Sequence, residues 1–481
     1  MSNTINSNYN ADFEKPFDFI TYNLSSKDGV DFYQKIKEFT DLVLDESKLA
    51  ISEVISSYSQ FLENFKESSL NNVNNIYSNY NFDSIYMGSY YEEYVLEALY
   101  LGVLWKLYFN KSINLDPFYQ NLLTKLSKLR NEKDIVNSSF KTEIDEIRGP
   151  LATKFLFNSS NTNNGLYKDN FSFDFNLKIN LLFDYLESIG DYNESLKHLN
   201  LWRDFLLSKD EELANSYINS ILSLVNWFEK VATDELHIFT ANVSNFIHNY
   251  IEDHINKEDI LFCGRNELEY YINIFAAEVM NRIFHKSFIQ KEKIAILVPV
   301  CMRISDSDKC LAIKDDLGFK CTVCSNAEEG NCNIGKIRKK LYFSFDNYNN
   351  NSYNYNNKNF NNKNYNKKNY NNNYNNKNFN NNNFNSKNYN NKNYNYKDIS
   401  VYIVSHSSDI LSNISKKEKK ELGIIGVACI NNLIEGGWKI SSYGIPPQCV
   451  ILNYVGCKKH WSSKDILTDF NFNKLKNIIE I

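Results

Sequence analysis

Between Ile294 and Tyr454 the chain carries four short apolar runs, Ile294–Val300, Ile399–Val404, Ile424–Ala428 and Cys449–Tyr454. Apolar, β-branched runs of about four to eight residues read as strands buried on both faces, and their alternation with helical stretches predicts a parallel sheet with crossover helices. The expected fold is therefore α/β, a mostly parallel three-layer sheet domain at the C-terminus. Each run is followed by a residue that carries chemistry: Cys301 or Cys429 directly after a strand, His406 and Cys457 within a few residues. The carboxyl ends of parallel strands share one edge, where open α/β sheets bind ligands, so these four residues are expected to converge. Cys449 precedes its strand and belongs at the opposite edge or in the core.

The half of the chain before this region reads differently. Apolar residues recur three or four apart in Phe32–Val43 and Ile51–Leu62, and helical blocks follow at Tyr91–Phe109, Phe118–Leu129, Leu177–Ser188, Leu201–Leu207, Glu211–Ala232 and Asp234–Tyr250. That periodicity marks amphipathic helices and predicts a separate all-α N-terminal domain. Glu92, Glu93 and Glu97 lack a His at i+3, as helical di-metal sites require, and read as a solvated helix face. Trp202-Arg203-Asp204 reads as packing beside a surface ion pair.

Five of the nine cysteines, Cys301, Cys310, Cys321, Cys324 and Cys332, fall within one stretch. Cys321-Thr322-Val323-Cys324 places two sulfurs where one ion can take both, which points to metal binding through thiolates. With Cys429 and Cys457 these make a candidate ligand set of seven, and Cys263, His406 and His460 are further candidates. Structural zinc usually shows two short-spaced pairs, whereas this chain has one Cys-x-x-Cys and scattered single cysteines, a pattern that suits an iron-sulfur cluster better, with zinc the alternative. A Cys-His nucleophile pair, from Cys429 or Cys457 with His406 or His460, is the enzymatic alternative. Ser407 or Ser408 reads as a helix N-cap before Asp409–Ile414, with an anion cradle the sharper option.

A length of 481 residues calls for more than one domain. The expected division is a flexible segment at 1–30, a helical domain at 31–258, and an α/β domain at 259–346 and 398–481. Its two parts are separated by an insertion at 347–397 built from Asn, Tyr, Phe and Lys with no carboxylate, a composition that predicts disorder. Interleaved Tyr and Lys can bind single-stranded nucleic acid, but a tolerated repeat expansion is the better reading. The net charge of -5 gives no reason to expect nucleic acid or an anionic membrane as partner. No secretory signal or membrane-length apolar run is visible, so a cytoplasmic protein with free or metal-bound thiols is expected.

Three segments resemble a known family. Gly426-Val427-Ala428-Cys429, Gly444-Ile445-Pro446-Pro447-Gln448-Cys449-Val450 and Gly456-Cys457-Lys458-Lys459-His460-Trp461 look like signatures of the prokaryotic family called domain of unknown function 116. The Cys301–Cys332 pattern also resembles it, over roughly Glu292–Trp461 apart from the insertion. The resemblance implies a cytosolic, cysteine-rich α/β protein suspected of binding metal, without an assigned reaction. Asn453 and Val455 stand where Asp and Cys are expected in related members, which removes a ligand from any second site. The functional expectation is a redox or electron-transfer protein with an unidentified redox or protein partner.

Overall fold

The computed structural model describes residues 19–25, 30–71, 91–132, 138–158, 174–303, 310–315, 317–322, 332–341, 398–404, 414–457, 460–461 and 466–479. The 347–397 insertion, Cys324 and the 405–413 segment with His406 lie outside them.

Helices α1 (Phe32–Ala50), α2 (Ser52–Asn71), α3 (Tyr91–Ser112), α4 (Pro117–Glu132), α5 (Ser138–Ala152), α6 (Phe175–Ile189), α7 (Ser195–Leu207), α8 (Glu211–Thr240) and α9 (Val243–Asn249) form the N-terminal region. Side-chain caps fix several starts: Asp31, Asp174 and Asp210 each accept a backbone N–H of their first turn. At the far end of α6, Gly190 takes φ 79°, and a Cβ there would lie 2.1 Å from Ser127 Oγ. Helix α3 is buried all round from Glu93 to Trp105. Gly102 lets it close on α8, since a Cβ would meet Ile221 Cγ2 at 2.6 Å.

Helix α10 (Glu267–Ile289) starts from an Asn266–Glu269 capping box and is also buried on nearly every side. It packs against α1, α3 and α8 and equally against the last sheet strand and its neighbouring helix. The hydrophobic core consequently runs from the helical region into residues such as Ile434, Trp438, Cys449 and Ile451, with no break at 258/259. Two walls served by one helix cannot be read from sequence, because an apolar helix does not reveal which side faces what.

The sheet has the order β2-β3-β4-β1-β5-β6: β1 (Lys293–Pro299), β2 (Ile313–Asp315), β3 (Gly318–Lys320), β4 (Asp398–Val404), β5 (Leu422–Ala428) and β6 (Pro447–Ile451). Strands β4, β1, β5 and β6 are mutually parallel, in the four places expected. The sheet is nonetheless mixed, because β2 and β3 form an antiparallel hairpin that adds to β4. The hairpin escapes detection because its strands are three residues each and carry Lys314, Asp315 and Lys320. One face packs Ile294, Ile296, Val401 and Ile425 against Ile334 and Ile337 of helix α11 (333–341) and the end of the chain at Leu475 and Ile478. Between β4 and β6 lie α12 (Lys416–Glu421) and α13 (Ile430–Ser442), and α14 (Phe472–Ile479) follows. The other face packs Ala295, Tyr402 and Ile424 against Ile440 of α13 and Ile445.

Candidate thiol-rich site at the carboxyl rim of the sheet

Strand register gathers the rim residues. Leu297 of β1 pairs with Gly426 of β5, and Ala428 of β5 with Ile451 of β6, so the three strands end level and Cys301, Cys429 and Cys457 follow at the same edge. Thr468 holds Cys301 through two bonds, its N–H donating to the Cys301 carbonyl at 3.1 Å and its hydroxyl to the sulfur at 3.2 Å. Its Cγ2 lies 3.0 Å from where a Cβ on Gly456 would sit, which places the segment of Cys457 alongside. Cys429 is the N-cap of α13, and Asn432 one turn on donates to its sulfur at 3.1 Å. Burial, with Cys301 and Cys457 as neighbours, pushes the Cys429 thiol up to about 12. Tyr22 joins this group from the N-terminal region. Its hydroxyl is buried beside the backbone of Ile430.

The loop cysteines divide. Cys332 precedes α11, whose Asn333 side chain donates to the Thr468 carbonyl at 2.7 Å, so the start of that helix is tied to the residue that holds Cys301. Cys321 lies elsewhere: its N–H bonds the carbonyl of Val401, three residues back from the end of β4, so it lies about 10 Å short of the rim along the strand. The hairpin runs antiparallel and carries the chain away from the edge, which periodicity could not have shown. Cys310 travels with it, since the adjacent Leu311 carbonyl accepts from the Thr322 hydroxyl at 2.7 Å. Cys449 does not precede its strand but lies within β6, which begins at Pro447; it is buried in the core, one of the two places expected, and burial pushes its thiol up to about 12.

His460 and Cys263 do reach the rim, through a partner the sequence did not single out. Asp259 accepts from His460 Nδ1 at 2.8 Å and His254 Nδ1 at 3.0 Å, and all three are buried. Burial pushes the Asp259 carboxyl up, but the two imidazoles outweigh it and hold it below the usual carboxylate range. The Cys263 thiol lies 3.6 Å from the His460 carbonyl, and burial, followed by Asp259, raises its pKa well above the ordinary thiol value. A carboxylate on Nδ1 fixes the imidazole tautomer and leaves Nε2 as the ligating atom, the usual support of a metal-bound His.

The solvated face expected at Glu92, Glu93 and Glu97 is overturned in part. Glu93 and Glu97 are 1% and 2% exposed. Glu97 accepts from His198 Nδ1 at 2.8 Å and from the Trp202 indole at 2.9 Å, so Trp202 is a donor as well as packing, while Arg203 and Asp204 do form the expected ion pair. The missing histidine comes from another helix.

The same region joins the two halves of the molecule. Glu435 of α13 accepts the N–H groups of Glu194 at 2.7 Å and Ser195 at 3.2 Å and the Ser195 hydroxyl, capping α7. Burial raises its carboxyl to about 7 despite these donors. A carboxyl raised on folding binds more protons in the native than in the unfolded state, so its contribution is present below pH 4.5 and is lost as pH rises to 7. Urea unfolding of the wild type is expected to show about 1–3 kcal/mol of stability lost from this group between pH 4.5 and 7. Glu435→Gln should flatten that decline, and an unchanged slope would refute the assignment.

Comparison of the chain with protein-family models, with curated proteins and with solved structures gives no match. Among the described residues no helix is long and apolar enough to cross a membrane.

Proposed function

We propose that this protein binds a metal through thiolates at the carboxyl rim of its sheet, with Cys301, Cys429, Cys457 and Cys332 as ligands and His460 and Cys263 at the margin. The observation that carries this reading is that Cys301, Cys429 and Cys457 follow the ends of three parallel strands at one edge, with side-chain donors on two of the sulfurs; they are not among the described groups whose ligating atoms lie within 4.8 Å of one another, so a shared ion would have to draw them together. Hydrogen bonds to ligand sulfurs tune cluster potentials, which favours an iron-sulfur cluster with a redox or electron-transfer role over structural zinc. Cys310 and Cys321, with the hairpin below the rim, leave the primary set, and Cys324 stays a candidate. The resemblance to domain of unknown function 116, a cytoplasmic location and a three-layer α/β unit belong to the same proposal.

A thiol-dependent enzyme is less well supported. A nucleophilic cysteine needs a depressed pKa, and burial moves Cys429 and Cys263 the other way. Anaerobic purification tests these readings. Brown protein with visible absorbance bleached by reductant and about stoichiometric iron and sulfide is the expected result, and Cys429→Ser should lose at least half of the metal. Colourless protein with about one zinc per chain would replace the cluster by a zinc site. Metal-free protein with one rapidly alkylated thiol would overturn the metal reading altogether.

A further inference from the structure

A second group of metal-ligating side chains lies away from the rim, in the helical region. Glu93 and Glu97 stand one turn apart on the same side of α3, and His198 of α7 faces them; one ligating atom from each of the three lies within 4.8 Å of the others. All three are buried. Both oxygens of Glu97 have protein donors, Oε1 from His198 Nδ1 and Oε2 from the Trp202 indole. Glu93 is different: its Oε1 is buried with no hydrogen-bond partner. A buried carboxylate oxygen without a donor costs free energy unless a cation faces it. Its nearest charged neighbour on α3 is another carboxylate, which adds to the cost.

The surroundings suit a bound ion. Trp438 of α13 lies over the His198 ring, centroids 4.0 Å apart, and restrains it. Tyr100, Ser195, Ile434 and Trp438 line a small cavity that also touches Glu97 and His198. From this geometry we infer that Glu93, Glu97 and His198 form a binding site for one divalent transition-metal cation, distinct from the thiol rim. Two carboxylates and one imidazole are hard to borderline donors; they suit Mn2+, Fe2+ or Zn2+ and not the soft ions that thiolates select. Glu93 and Glu97 supply oxygen, His198 supplies nitrogen, and the Trp202 indole orients Glu97 from behind. The ion takes the place of the proton shared by His198 and Glu97.

Manganese separates this site from the rim, because thiolates hold it poorly. Full-length protein freed of metal with chelator is titrated with Mn2+, and free ion is followed by its electron paramagnetic resonance signal. The expected result is one tightly held Mn2+ per chain in the wild type and in Cys429→Ser, with binding weakened at least about tenfold in Glu93→Gln and in His198→Gln. Nitrogen hyperfine coupling from one imidazole in the wild-type complex is a second readout that depends on no variant. Absence of tight Mn2+ binding, unchanged affinity in a folded Glu93→Gln protein, or bound Mn2+ without imidazole coupling would each overturn the site. None of these outcomes bears on the thiol centre, whose test is iron and sulfide content.

Discussion

Replacing Arg148 with Ala is expected to cost about 3–5 kcal/mol, the range for removing one partner of a buried charged pair. Arg148 is 2% exposed. Its guanidinium donates to the carbonyls of Ser188 and Ile189 at the end of α6 and to Glu258 at 2.9 Å. Without it the two carbonyls lose a buried donor, and Glu258, whose carboxyl burial already raises, keeps only Arg130. Arg148→Lys is expected to recover little, because one ammonium cannot reach three acceptors placed for a planar fork. Urea unfolding checks both variants, and a loss below about 1 kcal/mol for Ala would refute the argument.

Trp202→Ala is the second large effect, again about 3–5 kcal/mol, from the cavity alone. The indole is fully buried, lies over Tyr58 with centroids 3.8 Å apart, and donates to Glu97. Trp202→Phe fills most of the cavity but removes the donor, so it isolates the hydrogen bond. A loss of about 1.5–3 kcal/mol is expected there, the range for bonds to charged groups. Should Phe prove as stable as Trp, Glu97 does not depend on that N–H.

What sequence could say about this fold follows from which contacts are local. The four parallel strands were legible because both their faces are buried, which leaves uninterrupted apolar runs such as Ile294–Val298. Boundaries set by long-range packing were not: α8 runs unbroken from Glu211 to Thr240, across the junction expected between Glu211–Ala232 and Asp234–Tyr250. Helices α5, α12 and α14 went undetected, α12 because Lys416–Glu421 has no apolar period and rests on its Ser415–Glu418 capping box.

The chemical sites divide in the same way. Cys301, Cys429 and Cys457 could be placed together because strand ends share an edge. Asp259 could not be joined to His460, nor Glu97 to His198, across separations of 201 and 101 residues. One signal for the carboxylates was available. A helix apolar on every side, as α3 is between Tyr94 and Leu104, buries whatever polar residue it carries, so Glu97 could not face water.

Helix α10 ties the rim to the bundle. It spans about 35 Å as a single rod, with Cys263 and Arg265 at its head beside the thiol rim and Phe288 at its foot beneath Gly423. A chain parted before it would strip a wall from both compartments at once. The rim and the bundle therefore share one packed element, with α10 touching α1, α3 and α8 as well as β6 and α13.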